Sequence, residues 1–240
     1  MTQHPILVVT AVPAEAEALR AVLAATPGHT VRGAESGATR ADTDGAVKSG
    51  DAAEFGDIVV EAVGVGPAAA AAGTARLLAQ RAYRAVLSVG IAGGFAGRAD
   101  VGGTVLGTRT IAADLGAESP AGFLPIEDLG FGSSVLTVDP ILLKALTDAL
   151  PHAMTGDILT LSTVTGTAET TARLAARFPD AVAEAMEGYG VAIAAAGAGL
   201  PFAELRTISN PIGPRDRAAW RLADAFAALR AAAPALHILP

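Results

Sequence analysis

The run Asp57-Ile58-Val59-Val60-Glu61-Ala62-Val63 meets Gly64-Val65-Gly66 and then Pro67, which opens a small-residue segment reaching about Gln80. An apolar run of this length, rich in Val and Ile, has the character of a buried strand. The glycines turn the chain. Proline then stands where helices favour it, at the first position, because the N–H it lacks would be unpaired there anyway. A second apolar run, Ala85 to Val89, follows the helix, so the unit reads strand–helix–strand. Parallel strands need such a crossover.

The same alternation extends in both directions. Upstream, Ile6 to Thr10 reads as a buried strand, and Ala14 to Ala25 is helical through Ala18, Leu19, Val22 and Leu23. Residues 27–56 are polar, Gly-rich and weakly patterned, as expected of a hairpin or a mobile excursion. Downstream, Val89 runs into Gly90-Ile91-Ala92-Gly93-Gly94, whose glycines let the backbone approach either a ligand or a neighbouring strand closely. Gly103 to Ala113 predicts a long strand and 114–134 a loop. Asp139 caps a helix to Leu150 with Pro140 at its first position. Ile158 to Ser162 predicts a strand and Thr167 to Arg177 a helix. The run Phe178 to Glu187 then enters a buried small-residue helix, Gly188 to Gly199. Phe202 to Ser209 is a strand, and a last helix covers about Arg215 to Ala232. The expectation is an α/β fold in three layers, helices on both faces of a central, mixed, largely parallel twisted sheet, with residues 1–240 forming one domain.

Composition narrows the classes. With 51% hydrophobic and 17% charged residues the chain is globular, and its net charge of −7 argues against general nucleic-acid or membrane-surface binding. The absence of cysteine excludes disulfides, thiolate catalysis and Cys-ligated metals. The start, Met1 to Pro5, has no basic segment, and no stretch reaches the roughly 18 clean apolar residues of a membrane span. A cytoplasmic location is therefore expected.

Familiar motifs are missing or broken. Gly64-Val65-Gly66 lacks the third glycine of a dinucleotide loop, since Ala69 stands there, and Pro67 removes an N–H that would face phosphate. Neither a Walker loop nor G-x-S-x-G occurs, and His4, His29, His152 and His237 share no ligand spacing. What remains are carboxylates and an amide near strand ends, where open α/β sheets bind ligands. Glu187 sits at the mouth of an apolar helix, where a carboxylate is poorly solvated and needs donors from the protein or from a ligand. Glu15 follows the first strand, in the first turn of a helix whose dipole alone would favour an acid there. Asn210 ends the last strand, where it could also simply close a turn before Pro211.

These pieces occur in order along most of the chain. Glu15 lies in Thr10-Ala11-Val12-Pro13-Ala14-Glu15-Ala16-Glu17, and Gly66-Pro67-Ala68-Ala69-Ala70 starts a helix. Val89 to Phe95, Phe178 to Glu187 and Arg206-Thr207-Ile208-Ser209-Asn210 follow. Together they resemble the nucleoside phosphorylase/nucleosidase superfamily, which implies a nucleoside phosphorylase-like fold and a small-molecule nucleoside substrate. The resemblance implies that Glu15 is the general base on water and that Glu187 holds the ribose hydroxyls beside Met186. It also implies that Asn210, supported by Ser209, binds the departing base, with Ala92, Gly93 and Ser162 completing the substrate-binding residues. No metal or organic cofactor is expected.

Two further inferences separate the members. Phosphorylases bring basic residues to phosphate, whereas Thr10 to Glu17 carries acids and no Arg or Lys, which suits activation of water. Adenine-releasing methylthioadenosine/S-adenosylhomocysteine nucleosidases carry Asp where this chain has Asn210. A departing 6-oxopurine presents one donor, N7–H, and one acceptor, O6, which a single amide complements. With Ser209 to Trp220, this resembles the futalosine hydrolases, which release hypoxanthine in menaquinone biosynthesis. Their substrate carries a benzoate beyond the 5′ carbon, for which Arg215, Arg217 and Arg109 are candidates. Ile91 stands where nucleosidases usually have Ser, and Gly166 falls near their base-stacking Phe. The rivals are an inosine-type phosphorylase, an adenine nucleosidase and a catalytically silent nucleoside binder. The resemblance also implies a homodimer or larger homo-oligomer.

Overall fold

The computed structural model describes residues 4–25, 31–32 and 54–240. In chain order these form β1 (Ile6–Thr10), α1 (Pro13–Ala25), β2 (Val31–Arg32), β3 (Glu54–Phe55), β4 (Ile58–Ala62), α2 (Pro67–Gln80) and β5 (Ala85–Gly94). Then come β6 (Thr104–Ala112), β7 (Gly116–Ser119), β8 (Gly122–Pro125), β9 (Val135–Thr137), α3 (Pro140–Ala149) and β10 (Met154–Thr160). The chain ends with α4 (Ala168–Arg177), β11 (Ala181–Ala185), α5 (Gly188–Gly197), β12 (Phe202–Pro211) and α6 (Leu222–Ala232), followed by a short 3₁₀ segment. Most of the 27–56 stretch lies outside the described residues; its described ends, β2 and β3, pair antiparallel. None of the described helices is long and apolar enough to cross a membrane.

The main sheet runs β11-β10-β6-β12-β5-β1-β4-β3-β2 among the described residues. β1 lies parallel to both β4 and β5, and β5 is parallel to β12, as the crossover helices require. β12 meets β6 antiparallel, which makes the sheet mixed. β11 also pairs antiparallel with β5, so β5, β12, β6, β10 and β11 close into a ring. Ile6, Leu7, Val8 and Val9 are all buried because helices cover both faces of β1. Each such side chain contributes about 1.5–3 kcal/mol of burial. The architecture is the expected three-layer α/β/α one.

Several elements differ from expectation. Residues 114–134 are not wholly loop, since β7 and β8 make an exposed hairpin that Gly122 turns at φ +119°. The run Phe178 to Glu187 does enter a helix at Gly188, but it contains a strand that was not expected, β11 (Ala181–Ala185), held by β10 and β5. Five residues with one β-branched side chain carry weak strand propensity, and tertiary pairing decides their state. The last helix starts at Leu222 rather than Arg215. Pro211, Pro214 and Gly213 (φ +133°) keep 212–221 irregular apart from one 3₁₀ turn, Arg217–Ala219. The glycine-rich end of β5 remains strand. A Cβ on Gly94 would come within 2.4 Å of the Ala99 carbonyl, and one on Gly90 within 2.7 Å of Glu15 Oε1. Gly94 thus makes room for the turn that follows β5 and for Ile208 Cγ2 on β12 (2.9 Å), and Gly90 for a site side chain.

Candidate active site

Residues at and just beyond the carboxyl ends of β1, β5, β11 and β12 converge on a cavity of about 650 Å³. Ala11, Val12 and Glu15 come from the β1–α1 turn, Ile91 to Gly93 from β5, Ala185 to Glu187 from β11 and the start of α5, and Ser209 to Ile212 from β12. Val164 and Thr165 follow β10, and Gly213 to Trp220 close the remaining side. The volume suits a small organic ligand.

Glu15 is 2% exposed and held by three backbone N–H groups, which leaves part of its acceptor capacity open. Its Oε2 accepts from the N–H groups of Ala11 (3.0 Å) and Val12 (3.2 Å), and its Oε1 from that of Ile91 (2.9 Å). Burial is the larger influence and holds its carboxyl above the usual range. The Ile91 N–H, the Arg206 charge and the Val12 N–H oppose that, and Glu187 adds to it. A carboxylate so placed is a stronger base than a solvated one.

Glu187, 6% exposed, occupies the N-cap of α5 without bonding the helix's own first N–H groups. Its Oε1 accepts from Gly66 N (3.2 Å). Its Oε2 accepts from Met186 N (3.3 Å) and from Arg206 Nη1 (3.4 Å). Arg206 is 1% exposed. Its Nε donates to Glu204 Oε1 at 2.9 Å and its Nη2 to Ser88 Oγ at 2.9 Å. Glu204 and Arg206, two apart on β12, share one face of the strand. Burial alone would lower the Arg206 guanidinium, but Glu204, Glu187 and Glu15 together hold it above its ordinary value. Burial likewise pushes the Glu204 carboxyl up. One guanidinium thus serves three carboxylates under the cavity, and burial raises two of them, Glu15 and Glu204.

At the other side, the Ser209 hydroxyl lies 2.8 Å from Asn210 Oδ1 and 3.2 Å from the Ala92 carbonyl. Asn210 Nδ2 donates to the Pro211 carbonyl at 3.0 Å. The half-buried Asn210 therefore presents an oriented amide, one acceptor and one donor, to the cavity.

Of the residues expected from the sequence, Glu15, Ala92, Gly93, Met186, Glu187, Ser209 and Asn210 all line this cavity. Ser162 does not: β10 ends at Thr160, and the exposed Ser162 instead donates its N–H to Asp114. Gly166 also lies off the lining, which Val164 and Thr165 supply. Arg215 and Arg217 are on the lining, both near the Trp220 ring (5.7 and 5.9 Å to its centroid). Arg109 is elsewhere, with both Nε and Nη2 bound to Asp157. Sequence reasoning gave no role to Arg206, Ser88, Glu204 or Glu184. The available signal was charge inside otherwise apolar strands, Glu204 and Arg206 in β12 and Glu184 in β11, since buried charges are rare unless partnered.

The phosphorylase superfamily model matches residues 5–239. A futalosine hydrolase of Streptomyces coelicolor is 54% identical over 173 residues, 70% of this chain and 73% of its own length. A futalosine hydrolase of Acidothermus cellulolyticus is 47% identical over 187 residues, 73% of this chain and 75% of its own. The native structure of futalosine hydrolase of Helicobacter pylori shares the fold, with a TM-score of 0.76 at 16% identity over 98% of this chain and 97% of that one. The chain belongs to the phosphorylase superfamily and, within it, to the futalosine hydrolase family.

Proposed function

We propose that this protein is a nucleosidase that hydrolyses the N-ribosidic bond of futalosine, giving hypoxanthine and dehypoxanthine futalosine for menaquinone biosynthesis. The observation that carries this is the placement of Glu15, Glu187 and Asn210 on one cavity, with no cation on the loop that bears Glu15. Among the lining residues the cations are Arg215 and Arg217, both from the irregular segment beside Trp220. The relatives named above are futalosine hydrolases, which supports the same substrate.

In this mechanism the C1′–N9 bond breaks toward an oxocarbenium-like ribose, and the oxygen of water bonds to C1′. Glu15 takes the proton from that water. Glu187, fixed by Gly66, Met186 and Arg206, accepts the 2′- and 3′-hydroxyls. N7 of the base gains a proton from solvent, and the Asn210 amide then matches N7–H and O6, an interaction that strengthens as the base departs. Arg215 and Arg217 receive the substrate's carboxylate, with its ring against Trp220. The active unit is one domain spanning 1–240, acting in the cytoplasm as a homo-oligomer. Val65 on the cavity rim and Ile193 on α5, both exposed, suit an apolar contact between copies.

Turnover in ¹⁸O-water tests the chemistry. The reading predicts one ¹⁸O in the released sugar and no sugar phosphate. A sugar 1-phosphate formed only with added phosphate would make the protein a phosphorylase.

A further inference from the structure

Glu184 is a buried carboxylate on the cavity lining that the mechanism leaves unused. It is 4% exposed, and its partners are the Thr165 N–H (2.7 Å to Oε1) and the Thr165 hydroxyl at Oε2. The ion pairs found among the described residues do not include it. Burial, the largest influence, raises its carboxyl, the two Thr165 bonds oppose this, and the Asp114 charge adds to it. A carboxylate has about four acceptor positions, and Thr165 fills two, so roughly two remain for donors from a ligand.

Its position relative to Asn210 is set by the sheet. Gly93 pairs with Glu184 on one side and with Asn210 on the other. Directly paired residues put their side chains on the same face, and neighbouring strands lie about 4.8 Å apart, so the two residues flank Gly93 at a separation of about 10 Å. A Cβ on Gly93 would come within 2.6 Å of Ile212 Cγ2 and 3.5 Å of Asn210 Nδ2, so the glycine makes room for the Ile212 side chain, which packs over the sheet beside Asn210, and a base would lie above that methyl. A purine with a hydrogen bond at each edge also spans roughly 10 Å.

We infer that Glu184 is the specificity-determining acceptor for the base, taking the N1–H of a 6-oxopurine while Asn210 reads its N7 and O6. The inference rests on the nucleosidase reading above and deepens it. An adenine ring presents a lone pair at N1, which would face a carboxylate. A site built to bond one hydrogen and offered a lone pair instead rejects that ligand strongly, because its buried acceptor is left unpaired. Asn210 covers only one edge of the base, and Glu184 would add the second discrimination.

Binding of free hypoxanthine, 1-methylhypoxanthine and adenine to the wild type and to Glu184→Gln, measured by calorimetry with a melting curve for each protein, tests this. The wild type should prefer hypoxanthine to both other bases. Glu184→Gln, whose amide can also donate to N1, should weaken hypoxanthine by at least about 10-fold and move the hypoxanthine-to-adenine ratio further still. Wild-type protein that binds 1-methylhypoxanthine as tightly as hypoxanthine would overturn the inference, even if the variant failed to fold. A ratio unchanged within threefold in a folded Glu184→Gln would overturn it too, leaving Glu184 as a clamp on Thr165. Wild-type protein that bound none of the bases would instead sink the nucleosidase reading itself.

Discussion

Ile91 donates its backbone N–H to Glu15 Oε1 at 2.9 Å. The position where related nucleosidases usually carry Ser thus serves Glu15 through the main chain, which any residue but proline could supply. Ala11 and Val12 hold the other carboxylate oxygen in the same way. Three backbone donors fix the group without relying on a side chain. Glu15→Gln should therefore keep ligand binding within a few-fold while lowering kcat by about 10²–10⁴-fold, the usual worth of a general base. Comparing steady-state turnover with equilibrium binding checks the split; a near-normal kcat would remove Glu15 from the role.

The raised Glu15 carboxyl has a pH signature with a definite sign. Its folded value lies above the ordinary 4.5, so the neutral form is favoured by folding. Its contribution to stability is complete below about pH 4.5 and is lost as pH rises through the folded value. The melting temperature of the wild type minus that of Glu15→Gln should therefore fall between pH 4.5 and 7. The acid limb of kcat/KM should lie above the ordinary carboxylate range, since the base must be ionised. A difference that rises with pH would contradict the assignment.

Among the described residues, Arg206 is the cation paired with Glu187 and Glu204. Arg206→Leu would leave Glu187 and Glu204 facing each other in the interior, a loss of about 3–5 kcal/mol. For a chain of this size that corresponds to a fall in Tm of roughly 6–20 °C. Thermal denaturation reads it directly, and a fall of under 2 °C would show that the cluster is better solvated than its burial indicates.

Asn210→Asp replaces the donor–acceptor pair with two acceptors. Hypoxanthine release should slow by at least about 10-fold, and release from the 6-amino analogue of the same nucleoside should gain relative to it. Paired kcat/KM values decide the matter. An unchanged ratio would mean the amide only closes the turn at Pro211.

Arg215 and Arg217 offer the cavity's positive charge beside Trp220. Alanine at both should raise KM for a substrate with a 5′-side carboxylate by roughly 10–100-fold, with little effect on an uncharged analogue such as inosine. Equal losses on both substrates would assign these residues to holding the 212–221 segment rather than to the ligand.

Much of this arrangement was legible from residue chemistry near the strand ends. Pro67 and the Asp139–Pro140 pair marked α2 and α3 because capping and fixed φ act locally. β11 was not legible: Ala181-Val182-Ala183-Glu184-Ala185 has no strand signature of its own and is a strand because β10 and β5 are there to pair with it. The same gap hid Glu184, whose burial depends on that pairing. Arg206 was visible as a charge in an apolar strand, but its partners Ser88 and Glu187 lie 118 and 19 residues away, and only the folded sheet brings them together. Ser162 lies off the lining for a local reason, since β10 stops at Thr160 and Asp114 binds the Ser162 N–H.

The most direct test of the central claim is hypoxanthine release from futalosine in phosphate-free buffer, with inosine and methylthioadenosine run in parallel. Rapid release from futalosine, with little from the other two, is the predicted result. Release that waits for phosphate, or that is faster from methylthioadenosine, would contradict it.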